Sequence, residues 1–144
     1  MRRILVGFDG SDGGRRALDR AESHALRAHV TVLGVVNVPL DLDVPRNFGT
    51  LDDISDREGA ALGPPPDVVA HLTKARDRLN AAGIDAELRW AAGEPAHAIV
   101  ETARAIDAQV IVLGEHHHGF LGRAFGDDVD AGVQRESGCQ VILA

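Results

Sequence analysis

Five short apolar runs punctuate the chain: RILVGFD over 3–9, VTVLGVVN over 30–37, IDAELRW over 84–90, QVIVLG over 109–114 and CQVILA over 139–144. Most are continuously apolar, as expected of parallel strands covered on both faces. In the third, Ile84, Ala86, Leu88 and Trp90 alternate with Asp85, Glu87 and Arg89. One face of that strand should meet water, which places it at a sheet edge. Helical periodicity fills the gaps. The first such segment turns Ala17, Leu18, Ala21 and Ala25 inward and Arg16, Arg20, Glu22 and Arg27 outward. The second spans about 67–82, with Val68, Val69, Leu72, Ala75 and Leu79 as its stripe and Gly83 as its stop. A third begins in GEPAHAIVETARA, where Pro95 suits an initial turn and Ala96, Ile99, Val100, Ala103 and Ile106 follow at helical spacing. A fourth is expected over about 127–137. Alternating β and α elements imply right-handed crossovers and a layered α/β sandwich, with any ligand at the carboxyl ends of the strands.

One segment breaks this rhythm. Residues 38–66 hold five of the six prolines and carry Asp41, Asp43, Asp52, Asp53, Asp56 and Glu58 against two arginines. With so few packing residues it reads as a long surface loop or flap following the second strand. The remaining chain suits a single domain spanning 1–144, since 144 residues with 44% hydrophobic content can bury a real core. The net charge of -7 repels phosphate backbones and anionic membranes, and the basic residues, all arginine except Lys74, are scattered among acids. Nucleic acid and membrane are therefore not expected partners. The apolar run before Asp9 is too short for a leader or a membrane span, so a cytoplasmic location is expected. The single cysteine, Cys139, excludes internal disulfides and reads as a buried strand thiol.

The order of elements, together with ILVGFDGSDGGRRALDRA, GEPAHAIVETARAIDAQVIVLGEH and GCQVILA, resembles the universal stress protein family over nearly the whole chain outside 38–66. The resemblance implies a Rossmann-like, open, five-stranded parallel sheet in the order 3-2-1-4-5, flanked by helices on both faces and often dimeric. Some members of that family bind ATP and others do not. The ATP-binding pattern is similar to glycine, two residues, glycine, nine residues, glycine and then serine or threonine, starting at the end of the fourth strand. Backbone N–H groups of a tight glycine turn and a helix N-terminus cradle the phosphates there. Aligned on this pattern, Leu113 ends the strand and Gly114 fills the first glycine position, but His117, Asp127 and Asp128 stand at the second glycine, the third glycine and the hydroxyl. Val129 and Asp130 follow, with Asp130 at the next phosphate-facing position. Counting back from Cys139, taken as the opening of the last strand, also puts Asp127 at the third glycine, so sliding Gly126 into that place is rejected.

Like unit charges about 4 Å apart repel by about 4 kcal/mol at an effective dielectric near 20. Two or three carboxylates facing a triphosphate would cancel most of the binding energy of a micromolar ligand, about 8 kcal/mol. The same aspartates suit a helix N-terminus, where they accept from free N–H groups and complement the macrodipole. The nucleotide site thus reads as degenerate and self-capped, with no cofactor. Asp9, which the resemblance places near an adenine, reads as a turn acceptor or N-cap, and Val35 as either the apolar wall for a base or plain core packing. Arg123 reads as an ion-pair partner of the nearby acids.

Two alternatives stand beside this reading. One is an ATP-binding, slowly hydrolysing protein that holds Mg²⁺ through Asp127, Asp128 or Asp130. The other is a metal-sensing module in which His116 and His118 join Asp127 or Asp128, although consecutive side chains in extended backbone point opposite ways and the run reads more simply as a solvated polar loop. No catalytic residues are assigned: Ser11 and Ser137 lack a neighbouring histidine in sequence, and no nucleophile elbow is present. The last strand leaves an apolar edge, and in similar proteins that edge pairs with its symmetry mate. A homodimer with Val141, Ile142 and Leu143 at or near the interface is expected, beside an unspecified protein partner.

Overall fold

The computed structural model describes residues 2–8, 12–25, 28–36, 49–50, 66–92, 95–114, 132–133, 135 and 137–144. Strand β1 (Arg2–Gly7) leads into helix α1 (Asp12–His24) and strand β2 (Ala28–Val36). A two-residue strand β3 (Gly49–Thr50) precedes helix α2 (Pro66–Ala81), strand β4 (Ala86–Ala92), helix α3 (Pro95–Ala105) and strands β5 (Val110–Leu113) and β6 (Gln140–Leu143). Residues 132, 133 and 135 are also helical, inside the expected fourth helix.

The sheet order is β3-β4-β2-β1-β5-β6. Its five long strands are parallel, with Ile4 beside both Val30 and Val110, Val32 beside Leu88, and Ile111 beside Val141. Taken in chain order, these five reproduce the expected 3-2-1-4-5 arrangement. The addition is β3, which pairs antiparallel with β4 through Gly49 opposite Trp90 and Thr50 opposite Arg89. The strand expected at a sheet edge is therefore partly covered, by two residues of the segment expected as a long surface loop or flap. A strand edge presents unpaired N–H and C=O groups, and a passing chain that pairs with them satisfies both partners.

Side chains alternate between two cores. On one face Ile4, Val6, Val30, Val32, Val110 and Val112 pack against Ala17, Leu18 and Ala21 of α1 and Leu72, Ala75 and Leu79 of α2. On the other, Leu5, Leu33, Ala91, Ile111 and Leu113 pack against Ala98, Ile99, Val100 and Ala103 of α3 and against Val133. Most of the expected inward stripes are buried, while Val68, Val69 and Ile106 are half-buried. Arg78 of α2 reaches α1, donating Nε to Glu22 at 3.0 Å and Nη2 to Asp19. Such half-exposed pairs contribute about 0.2–1 kcal/mol each. Cys139 departs from expectation. It is half-buried just before β6, and its Sγ lies 3.0 Å from the Ala108 carbonyl oxygen, because β6 is an edge strand with one neighbour.

Helices α2 and α3 end by the same hydrogen-bonding device with different residues. After α2, Ile84 N–H donates to Leu79 O at 2.9 Å across Gly83 at φ 79°. After α3, Ala108 N–H donates to Ala103 O at 2.8 Å across Asp107 at φ 54°. The left-handed residue lets the chain turn back so that an otherwise unpaired carbonyl is satisfied. Glycine adopts that conformation without strain, whereas an L-residue strains by about 1–2 kcal/mol. In urea denaturation, Gly83→Ala should therefore lower stability by about 1–2 kcal/mol, while Asp107→Gly should leave it level or raise it by up to about 1 kcal/mol. Leu79→Ala, which empties a fully buried position, should cost about 2–5 kcal/mol.

Candidate functional site

The chain crosses from β1 to β2 on one side of the sheet centre and, later, from β4 past β2 and β1 to β5 on the other. In an open parallel sheet this reversal opens a crevice at the carboxyl ends of the two diverging strands, here β1 and β5. Phe8 extends the end of β1, donating its N–H to Leu33 O at 3.0 Å. Ala144 does the same past β6, donating to Leu113 O at 2.8 Å. The first turn of α1 lies directly across from them. A Cβ on Gly114 would sit 2.1 Å from the Gly13 carbonyl oxygen and 2.2 Å from its carbon, and one on Gly7 would sit 2.8 Å from Leu113 Cδ2. Backbone of β5 and backbone of α1 are thus in direct apposition, and Gly13, Gly14 and Gly114 are all buried.

This contact fixes the electrostatics of the crevice. The N-terminus of α1 carries the positive end of its dipole and N–H groups with no partner inside the helix. Gly114, at the end of β5, lies beside that positive end. On the far side of β5, Arg16 of α1 donates Nε to Ala144 O at 3.4 Å. On the α3 side, a Cβ added to Gly132 would meet Ala96 Cβ at 3.3 Å, and Val133 is fully buried, so the helical residues 132–133 rest on the start of α3.

Of the residues singled out in the sequence, Leu113 and Gly114 lie together at the end of β5, and Val35 lies near the end of β2. Val35 is half-buried and packs against the α3-side core. Asp9, Ser11, His116, His117, His118, Arg123, Asp127, Asp128, Val129 and Asp130 lie outside the described residues. Among the described residues, no group of three or more His, Cys, Asp and Glu side chains could hold a metal ion. Ser137 accepts the Cys139 N–H on its Oγ at 3.3 Å, a turn contact. Val141, Ile142 and Leu143 are half-buried on β6, which forms the sheet edge.

One concavity was not anticipated. A groove of about 630 Å³ opens on the α3 side of the sheet, near the amino ends of the strands, between Arg3, His29, Thr31, Glu87 and Arg89. The alternation of IDAELRW had pointed Glu87 and Arg89 toward water. Nothing in the sequence shows that Arg3 and His29, from two other strands, share their face.

A family model described as the universal stress protein family matches residues 1–144. The chain is 27% identical to the universal stress protein YxiE of Bacillus subtilis, over 98% of this chain and 97% of that protein. It is 29% identical to the universal stress protein Rv1636 of Mycobacterium tuberculosis, over 97% and 93% respectively. Among solved structures, a universal stress protein in complex with cAMP superposes with a TM-score of 0.69 at 29% identity, covering 99% of this chain and 95% of that one.

The apposition of Gly114 and Gly13 leaves no room for a methyl group, and the atoms it would meet are backbone. Gly114→Ala should therefore displace the first turn of α1 and cost about 3 kcal/mol or more. Urea denaturation measures the loss, and amide shifts at Gly13–Arg16 locate it. A change under about 1 kcal/mol would mean that α1 is not seated on β5.

Proposed function

The chain belongs to the universal stress protein family, and from that premise we propose that it is a regulatory, stress-response binding module without catalytic chemistry, whose switch-point crevice does not hold ATP. The observation that carries this reading is the pair Asp127 and Asp128, thirteen and fourteen residues beyond Gly114, where the ATP-binding pattern has glycine and a hydroxyl. The position of Gly114 against the start of α1 supports it. At a helix N-terminus a carboxylate is stabilised by about 0.3–1 kcal/mol, and a triphosphate beside the same carboxylates is repelled several times more strongly. Carboxylates of the chain take the role that an anionic ligand has in ATP-binding relatives.

A second reading keeps the crevice as a nucleotide site. The solved relative in complex with cAMP favours it, because a cyclic monophosphate carries one negative charge where ATP carries about four, and the repulsion falls in proportion. Mg²⁺ held by Asp127, Asp128 or Asp130 would offset the repulsion for ATP as well, and slow hydrolysis would then follow. The proposed assembly is a homodimer paired through β6, with Val141, Ile142 and Leu143 at or near the interface, and the proposed location is the cytoplasm. Among the described residues, no helix is long and apolar enough to cross a membrane.

Calorimetry separates the readings. ATP alone should give no saturable heat, and the double variant Asp127→Gly, Asp128→Ser should gain at least about tenfold in affinity, which is about 1.4 kcal/mol. Tight binding of metal-free ATP by the unaltered chain would overturn the leading proposal. Binding only with Mg²⁺, or of cAMP alone, would move the conclusion to the second reading. For the assembly, sedimentation at micromolar concentration should show a dimer, with Ile142→Lys shifting it toward monomer.

A further inference from the structure

The groove on the α3 side of the sheet has a physical origin in the length of α3. Strands β1, β2 and β4 are in register with Arg3 beside His29, Leu5 beside Thr31, Thr31 beside Glu87 and Leu33 beside Arg89, so these positions share one face. Helix α3 covers the carboxyl half of that face, over Leu5, Leu33 and Ala91, and ends at Ala105. Ala105 and Ile106 then form a wall of the groove, and the amino half of the face is left lined with polar side chains.

Those side chains are already organised. Glu87 accepts from Arg89 Nε on one carboxylate oxygen at 3.0 Å and meets His29 Nε2 on the other at 3.3 Å. Both oxygens of the groove's carboxylate are thereby engaged. Arg3 donates Nη1 to the Ile106 carbonyl at 3.0 Å, which satisfies the end of the α3 segment, and meets Asp107 at 3.6 Å, an aspartate whose side chain is 87% exposed at the rim. Among the described residues, Arg89 gives only its Nε, so its two terminal nitrogens remain, as do the other nitrogens of Arg3. Thr31, 1% exposed, lies at the floor. Two arginines and one glutamate line the groove, and Asp107 at its rim pairs with Arg3.

The groove's volume falls within the range of about 300–1,000 Å³ usual for small-molecule sites, and its lining is mainly polar. Here the unengaged polar groups are chiefly donors, and guanidinium donors match the planar oxygens of carboxylates and phosphates. We propose that this groove is a second binding site, separate from the switch-point crevice, for a small organic anion bearing a carboxylate or a phosphate ester. Arg89 and Arg3 hold the anionic group, and Ala105 with Ile106 meets its apolar part. Glu87 and His29 act as positioning residues that hold the Arg89 fork in place.

The test is an NMR titration of the full chain, with inorganic phosphate and with succinate as separate probes. The expected result is saturable shifts at the amides of Thr31, Glu87 and Arg89 and at Arg89 Nε. Affinity should fall at least about tenfold in Arg89→Gln and recover partly in Arg89→Lys, since a lysine keeps the charge and loses the fork. Tighter binding of phosphate assigns the phosphate ester, and tighter binding of succinate the carboxylate. Unchanged melting temperatures in both variants show that the loss is not unfolding. Shifts that do not saturate, that persist in Arg89→Gln, or that fall only at Gly7, Phe8, Gly13 and Gly114 overturn the proposal.

Discussion

A parallel sheet has to be covered on both faces, and how far that cover extends organises everything else in this molecule. The central strands carry apolar side chains on both sides, so each face needs its own layer of helices. Helices α1 and α2 supply one layer and α3, with the helical residues near 133, the other. Ile4, Val6, Leu5 and Ile111 are almost fully buried as a result, and each core is drawn from strands far apart in the chain. The two functional candidates lie where this cover gives out. One is at the carboxyl ends of β1 and β5, where the crossovers diverge. The other is over the amino ends of β1, β2 and β4, beyond the end of α3.

At the carboxyl ends, the seat of Gly114 on Gly13 matters more than any side chain. It brings the end of β5 to the positive end of α1 with backbone touching backbone, at a place that favours negative charge. That preference does not distinguish a phosphate from an aspartate. The sequence after Gly114 is what differs between a chain that leaves room for a ligand's charge and one that brings its own. On the proposal that the chain supplies its own anion, the three aspartates between 127 and 130 would use the same helix-end physics that holds a polyphosphate in other proteins.

The fold was largely legible because its signals are local. Apolar runs, most of them continuous and one alternating, located five strands to within two residues, and the inward set Ala17, Leu18, Ala21 and Ala25 is buried as read. Strand β3 was not legible, since Gly49 and Thr50 carry no apolar run and join the sheet only because β4 has an open edge beside them. Cys139 was read as buried because free cysteines commonly are, a tendency that could not show that its strand has a single partner among the described residues. In the candidate site, Leu113, Gly114 and Val35 could be placed at strand ends from motif and periodicity alone. The close contact with Gly13 could not, because it depends on a helix about one hundred residues earlier in the chain.

The amino-end groove shows why whole-chain charge is a poor guide to local recognition. A net charge of -7 governs long-range steering, but a small anion at close range meets only the groups within about a Debye length, roughly 8–10 Å. In that volume the decisive fact is which charges are already engaged. Glu87 is matched on both oxygens, by Arg89 and His29, whereas among the described residues both arginines retain donors. Had this half-face been selected only to meet water, isolated charges on the outward positions would suffice, and there would be no need to pair a glutamate across β2 and β4 while an arginine fork stays open. The pairing costs side-chain freedom without covering apolar surface, and an arginine fork held ready for a planar anion gives that cost a physical use.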